Sequence, residues 1–503
     1  MGQYFIGIDG GTESLRAGVF DPRGNPLAFA STAYKTEFPR PSWAEQNPQD
    51  WWEALVQSVR GAVRQAGVRP EEIAAIGLDT TCCSVVALDR KGDPLRPALI
   101  WMDVRSAAQA ARIAASGDAA LRVNGYGPVS AEWMAPKALW LLENEPHTFR
   151  AATYICEYQD YLNHKLTGRM VGSLNNSSIR WYYDRSRGGF QSSLYEKIGL
   201  GEVLQKFPRE VLAMGERIGP LTREAAEHLG LPQSTLVVQG GADAFVAMVG
   251  LGVVRPGRLA LITGSSHLHL GLSEQPLHAR GLWGSYPDAV VPGLHAVEGG
   301  QTSTGSVIAW LRRLLGEPDY ALLNDKAAAL PPGAEGMVVL EHFQGNRTPH
   351  TDPDSRGVIS GLTLKHGPEH LFRAVIEGVA YGTEDILTTM RQAGYSPREF
   401  VLGGGATRSE LWMQIHADVS GIPIQLTRVA DAAALGSAIL AAVGAGVYPT
   451  IVEAAEHMVS FTRVVEPDWQ RHEAYQPLLS AYRATYHSLK ETLHLQARLA
   501  AGR

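Results

Sequence analysis

The stretch Gly7-Ile8-Asp9-Gly10-Gly11-Thr12-Glu13-Ser14-Leu15-Arg16-Ala17-Gly18-Val19-Phe20-Asp21 sets an acid and a glycine pair between two apolar runs. Phe5 to Ile8 and Leu15 to Phe20 read as strands, so a tight β-hairpin accounts for the glycines, which permit positive φ in a turn. A second reading gives the turn a task. Its backbone N–H groups face an anion, the Thr12 and Ser14 hydroxyls add donors, and Asp9 holds a hydrated Mg²⁺. The stretch alone leaves both readings open.

The remaining chain narrows the choice. With 503 residues, 45% apolar and 19% charged, it is expected to be an ordinary globular protein with more than one core. Acidic residues number 51 against 45 basic ones, and no basic block tracks a nucleic-acid backbone. A small molecule is therefore the expected partner, with neither nucleic acid nor membrane. Cys82, Cys83 and Cys156 have neither zinc spacing nor the density of a disulfide scaffold, which fits a reducing cytoplasm. The start lacks a basic segment followed by an apolar one, and is read as cytosolic. The most membrane-like window, 236 to 254, contains Gln239 and Asp243. A mid-bilayer Asp costs about 2.5 to 3.5 kcal/mol, so the window is read as buried strand and helix.

Strands and helices alternate, which gives an α/β class. After the hairpin come a third strand near Pro26 to Ser31 and a helix with Asn47 at the N-cap, Pro48 at N1 and Asp50 as a capping acid. Ile73 to Asp79 reads as a buried strand and Ala107 to Ala115 as helix. The second half restarts the plan with the strand Leu236 to Gln239, the turn Gly240-Gly241-Ala242-Asp243, a helix over Ala244 to Val249 and the strand Arg258 to Thr263. Two further glycine turns follow: Gly264-Ser265-Ser266, and Gly403-Gly404-Gly405 before a helix from Glu410 to Ser420. Unpaired amides at such a helix start favour a phosphate or a nucleotide edge. Asp431 is read as capping a helix over Ala432 to Val443, and Asp468 to Arg498 as a long closing helix. No Walker A loop occurs, nor a G-x-G-x-x-G turn leading straight into a helix.

The three glycine-hydroxyl turns together resemble the ATPase core shared by sugar kinases, actin and chaperone ATPases. Between them lie Ser42-Trp43-Ala44-Glu45-Gln46-Asn47-Pro48, Trp101-Met102-Asp103-Val104-Arg105, Gly241-Ala242-Asp243 and Gly345-Asn346-Arg347-Thr348-Pro349, the last running on to Asp352-Pro353-Asp354-Ser355-Arg356-Gly357. In that order the set resembles the FGGY carbohydrate kinases over Tyr4 to about Tyr448, with GTESLRAGVFD, VSAEWMAPKALWLLENEP and FQGNRTP closest to the ribulokinase-like branch. The resemblance implies a two-domain actin-like ATPase fold of the ribonuclease H type. Residues 1–254 would form a sugar-binding and phosphate domain, and 255–503 an ATP-binding domain with a closing C-terminal helix. ATP, Mg²⁺ and sugar would meet in the cleft between them, and a homodimer is the family habit.

Roles carry over residue by residue from that resemblance. Asp243 would be the catalytic base, with a helix cap as the bland alternative. Asp9 would stand on the metal side, while Gly10, Gly11, Thr12, Glu13 and Arg16 would form the first phosphate hairpin and Gly264 and Ser265 the second. Gly305, Gly404, Gly405 and Arg408 would border the nucleotide. On the sugar side, Thr81 and Cys82 would line the pocket. Trp101, Asp103 and Arg105, alternating along an extended segment, would project to one face, and Asp160 would reach the sugar or cap its helix. His267 and His269 are read as packed histidines rather than metal ligands. The expected reaction is phosphorylation of the terminal hydroxyl of a ketopentose, most of all ribulose. Xylulose or a polyol such as erythritol is the alternative, and outside this class stands an ATP-driven switch of the actin or chaperone type. Thr81-Cys82-Cys83 stands where xylulose kinases have Gln-Met-His, which argues against xylulose.

Overall fold

A computed structural model describes residues 3–500. The first sheet contains β1 (Tyr4–Gly10), β2 (Ser14–Phe20), β3 (Pro26–Ala33), β4 (Ile73–Thr80), β5 (Arg217–Pro220) and β6 (Leu236–Val238), ordered β5-β6-β4-β1-β2-β3. The second contains β7 (Arg258–Thr263), β8 (His267–Ser273), β9 (Trp283–Pro287), β10 (His295–Gln301), β11 (Glu399–Gly404), β12 (Ile424–Thr427) and β13 (Phe461–Val465), ordered β9-β10-β8-β7-β11-β12-β13. Each sheet starts with an antiparallel hairpin whose first strand pairs on its other side, in parallel, with a later strand: β1 with β4, and β7 with β11. The plan is thus used twice, but the second copy begins at Arg258 and not at Leu236, since Leu236–Val238 is β6 and pairs in parallel with β4 in the first sheet.

Helices α1 (Pro48–Ala66), α2 (Asp243–Gly250), α3 (Gly305–Leu314), α4 (Pro368–Gln392), α5 (Glu410–Ser420), α6 (Ala432–Gly444) and α7 (Trp469–Ala500) cover the sheets. Helix α1 begins where the sequence predicts, with the Asn47 side chain accepting from the Gln49 N–H at 3.2 Å. Its Trp51, Leu55 and Val59 bury against Ile6, Ile8 and Leu15 on one face of the first sheet. The opposite face, through Phe5 and Ala75, meets α2 and α6, and from the other side the second sheet brings Ala260, Leu270 and Val401 to the same core. Covered on both faces, the inner strands carry near-continuous apolar runs instead of alternation. No helix among the described residues is long and apolar enough to cross a membrane.

The α2/α6 pair therefore forms a layer shared by both sheets, and glycine makes it thin. A Cβ on Gly7 would lie 1.8 Å from the Ala434 carbonyl oxygen of α6, and one on Gly436 would lie 2.1 Å from the Val246 carbonyl oxygen of α2. Both contacts are backbone against backbone, so no side chain can move aside. Gly7→Ala is expected to cost about 3 kcal/mol by overpacking. Gly67→Ala, at a helix C-terminus with open space around it and φ 66°, should cost about 1 kcal/mol. Denaturant midpoints measured on the two variants check the contrast; equal losses would mean that the sheet-to-helix contact is loose.

Candidate active site

Four acids gather where the C-terminal ends of β1 and β4 meet the N-termini of α2 and α6. Asp9 stands opposite Arg16 on β2 and Asp79 on β4. Asp243 is the first residue of α2, and Asp431 precedes α6. Burial, then the charges of Asp243 and Asp431, push Asp9 up to about 7. Asp79 is held well above the carboxylate range, first by burial and then by Asp9; its Oδ2 accepts from Ser437 Oγ on α6 at 2.6 Å. Asp243 is raised by burial to about 6, opposed by the Ala244 N–H, which donates at 2.7 Å, and by Arg180. The donor set is hard oxygen throughout, and the crowding of negative charge suits a small divalent cation. No group of three His, Cys, Asp or Glu side chains among the described residues could hold a metal directly, so the fit is to an ion held mainly through water and phosphate.

Asp243 opens into a cleft of about 650 Å³ that is also lined by Thr12, Ser265, Ser266, Thr81, Cys82 and Trp101. Both hairpin turns thus reach one cavity. In the first, the Gly11 N–H donates to the Ser14 carbonyl at 3.0 Å, and Tyr34 OH donates to the Gly11 carbonyl. Trp101 Nε1 donates to Thr12 Oγ1 at 2.9 Å, joining the hairpin to the far wall. In the second, the Ser265 carbonyl accepts from the Thr304 N–H at 3.0 Å and from Ser306 Oγ at 2.9 Å. Gly305 lies against this turn; a Cβ there would be 2.4 Å from the Gly264 carbonyl oxygen. Gly305 thus seats the N-terminus of α3 on the turn.

The other end of the cleft is aromatic and charged. Glu298 accepts from Arg180 Nη2 at 3.0 Å and from Arg347 Nη2 at 3.1 Å. The Arg347 and Arg180 guanidinium carbons lie 4.1 and 5.0 Å from the Trp283 ring centre, and Trp133 meets Trp283 edge to face at 5.1 Å. Such a wall offers aromatic rings to C–H surfaces and charged hydrogen-bonding groups to hydroxyls.

The remaining sites divide. Arg16 pairs with Asp431 and, with Gly404, lines a neighbouring cavity of about 520 Å³ rather than the main cleft. Gly404 has φ 91°, and a Cβ there would lie 2.0 Å from the Thr263 carbonyl oxygen; the neighbouring strand by itself accounts for glycine. A Cβ on Gly405 would lie 3.7 Å from Arg408 Nη2, an ordinary contact, and Arg408 and Glu13 are exposed outside both linings.

Several expectations are corrected. Residues 101–106 form turns and not an extended strand, so only Trp101 faces the cleft. Asp103 and Arg105 are buried together: Arg105 Nε donates to both Asp103 oxygens at 2.9 Å, Nη2 reaches Glu45 at 2.7 Å, and the guanidinium stacks 3.7 Å from the Trp43 ring centre. Asp160 is buried away from the cleft, accepting from the Glu157 N–H at 3.0 Å as a helix-start acid. Asp431 makes no cap bond to α6, because Arg16 takes its carboxylate. His267 and His269, in contrast, pack in the core beside Trp412 and His416 in keeping with the sequence, and burial lowers their pKa values.

Four residues went unread. Asp79 had one signal, its place at the end of a strand beside the Asp9 strand. Arg347 lay inside the quoted Gly-Asn-Arg-Thr-Pro motif without a role. Glu298, the one carboxylate in the largely buried strand His295–Gln301, and Arg180 had only their charge within buried segments.

With that geometry in place, the comparisons with known proteins are direct. Residues 4–250 match the FGGY family of carbohydrate kinases, N-terminal domain, and 259–445 match its C-terminal domain. A ribulokinase from Shouchella clausii is 32% identical over 96% of this chain and 94% of its own length. An FGGY carbohydrate kinase domain-containing protein from Xenopus laevis is 32% identical over 94% of each. The crystal structure of a xylulose kinase from Rhodospirillum rubrum superposes with a TM-score of 0.87 at 29% identity, covering 98% of this chain and all of that one.

Arg105→Ala would leave Asp103 as a buried charge without its cation, while Glu45 keeps Arg96, at an expected cost of about 3 to 5 kcal/mol. Thermal melting should show that loss, while the folded fraction keeps an unchanged KM for its sugar. A raised KM without lost stability would return Arg105 to the substrate.

Proposed function

The chain belongs to the FGGY family of carbohydrate kinases, an ATP-dependent sugar kinase, and from that premise we propose that its substrate is a ketopentose, ribulose, phosphorylated on the terminal hydroxyl to the 5-phosphate. The observation that carries this reading is a single cleft in which Asp243 stands between two hydroxyl-bearing turns and a wall of tryptophan, arginine and glutamate. The ribulokinase relatives support ribulose. Xylulose is the second reading, favoured by the likeness to the xylulose kinase structure and disfavoured by Cys82 and Cys83 in the wall.

Residues 1–254 are taken as the sugar and phosphate domain and 255–503 as the ATP domain. The Thr12 hydroxyl on the Gly10-Gly11 turn and the Ser265 hydroxyl on the Gly264 turn would hold the phosphates from two sides. The neighbouring cavity lined by Gly404 and Arg16 would take the rest of the nucleotide. Asp9, with Asp79 behind it, would hold a hydrated Mg²⁺, which when bound offsets charge on the β and γ phosphates. Asp243 accepts the proton of the attacking hydroxyl. Glu298, fixed by Arg180 and Arg347, orients hydroxyls farther from the reacting end, and Trp101, bonded to Thr12, excludes water from the sugar-to-phosphate line.

The test is ADP formation with Mg-ATP across both enantiomers of ribulose and xylulose, with erythritol, ribitol and glycerol, and phosphorus NMR of the product. A kcat/KM for one ribulose enantiomer at least about tenfold above every other member, a difference of about 1.4 kcal/mol, with phosphate on the terminal carbon, is expected. Preference for a xylulose moves the assignment to the second reading, and ADP formation that no sugar changes overturns both.

A further inference from the structure

The cleft wall between β4 and the strand Val85–Leu88 carries two adjacent thiols, Cys82 and Cys83, which both line the cavity. Their Sγ atoms are 3.7 Å apart, and both cysteines are free. Cys83 has φ 65°, a left-handed conformation that a residue with a Cβ keeps only where its surroundings hold it. Here they do. The Cys83 N–H donates to Glu157 Oε1 at 3.1 Å, the Ser84 N–H donates to Oε2 at 3.0 Å, and the Cys83 carbonyl accepts from Lys137 Nζ at 2.8 Å. Glu157 and Lys137 are both fully buried, and Trp181 Nε1 donates to Glu157 at 2.7 Å. Arg180, in the same wall, brings positive charge to both sulfurs.

A rigid pair of sulfurs at van der Waals separation is poorly disposed to bond directly. Adjacent Cα atoms lie about 3.8 Å apart, short of the usual disulfide span of about 4.4 to 6.8 Å. The pair is well placed to be bridged through one intervening atom. We propose that Cys82 and Cys83 form a dithiol site for trivalent arsenicals, entered from the sugar half of the cleft. With an arsenoxide, each thiol gives its proton to the oxygen, two As–S bonds replace the As–O bonding, and one water leaves. Arsenic stays trivalent, and no electrons change hands. The second As–S bond forms within the chain, so a fixed pair outcompetes separate thiols. The adduct shares the cavity with Trp101 and Asp243 and therefore excludes sugar. That consequence rests on the proposed sugar site, whereas the adduct does not.

The experiment adds phenylarsine oxide to the full chain and reads intact mass, peptide maps and kinase rate. The expected result is one phenylarsenic group per chain with one water lost, carried on the peptide with Cys82 and Cys83. Mercaptoethanol should leave the group in place and dithiothreitol should remove it. Cys82→Ser with a native circular dichroism spectrum should take up none, and Cys156→Ser should behave as the unsubstituted chain. Should Cys82→Ser not fold, the peptide map of the unsubstituted adduct decides. An adduct stripped by the monothiol, mapped to Cys156 or kept by folded Cys82→Ser overturns the site. A retained adduct with unaltered sugar phosphorylation overturns its place in the substrate path. Where no sugar is phosphorylated at all, the mass readout still decides the dithiol while the functional reading fails.

Discussion

The structure depends on two helices thin enough to lie between two sheets. α2 and α6 approach each other and the first sheet through glycine, with Gly7 against Ala434 and Gly436 against Val246. Because the layer is this thin, the N-termini of both helices arrive beside the ends of β1 and β4. Helix N-termini carry unpaired N–H groups and partial positive charge. That field is what allows Asp9, Asp79, Asp243 and Asp431 to be held near one another, and it favours phosphate oxygens over any neutral ligand. Packing and chemistry are set by the same contacts: a residue larger than glycine at position 7 or 436 would shift the acids along with the helices.

The cleft divides its chemistry by environment. Around Asp9 there is carboxylate, hydroxyl and backbone amide, a setting for a cation and phosphates. Around Glu298 there are guanidinium groups and indole rings, a setting for a neutral molecule with many hydroxyls. The guanidinium groups of Arg180 and Arg347 share the one carboxylate of Glu298, which holds both in place. Asp243 lies between the two settings, where the Ala244 N–H and Arg180 oppose the rise that burial causes.

Much of this was legible in the residues. The duplicated plan was, although its second copy starts at Arg258 and not at Leu236, because each glycine turn interrupts an apolar run at the point where a strand ends, and α5 begins and ends where the sequence places it. Asp243 was legible because a glycine turn and a helix start frame it. Asp103 and Arg105 were misread for a physical reason: alternation predicts a shared face only if the backbone is extended, and here it turns, so the two side chains meet each other over Trp43. Asp160 shows a second limit, since an acid at a helix start caps equally well in the core or at a site. Asp79, Arg180 and Glu298 escaped because their partners lie far along the chain; Arg180 and Glu298 are 118 residues apart, a distance that no local pattern spans.

The most direct measurement is sugar-dependent ADP formation by Asp243→Asn, made beside nucleotide binding and melting temperature for the same protein. The amide keeps the shape and an oxygen for the Ala244 N–H but cannot take up the hydroxyl proton. Turnover should fall by a factor of about 100 to 10,000, with nucleotide affinity and melting temperature close to those of the unsubstituted chain. Turnover within a few fold of the original would contradict the role of Asp243 as the base and would leave it a helix-start acid that happens to face the cleft.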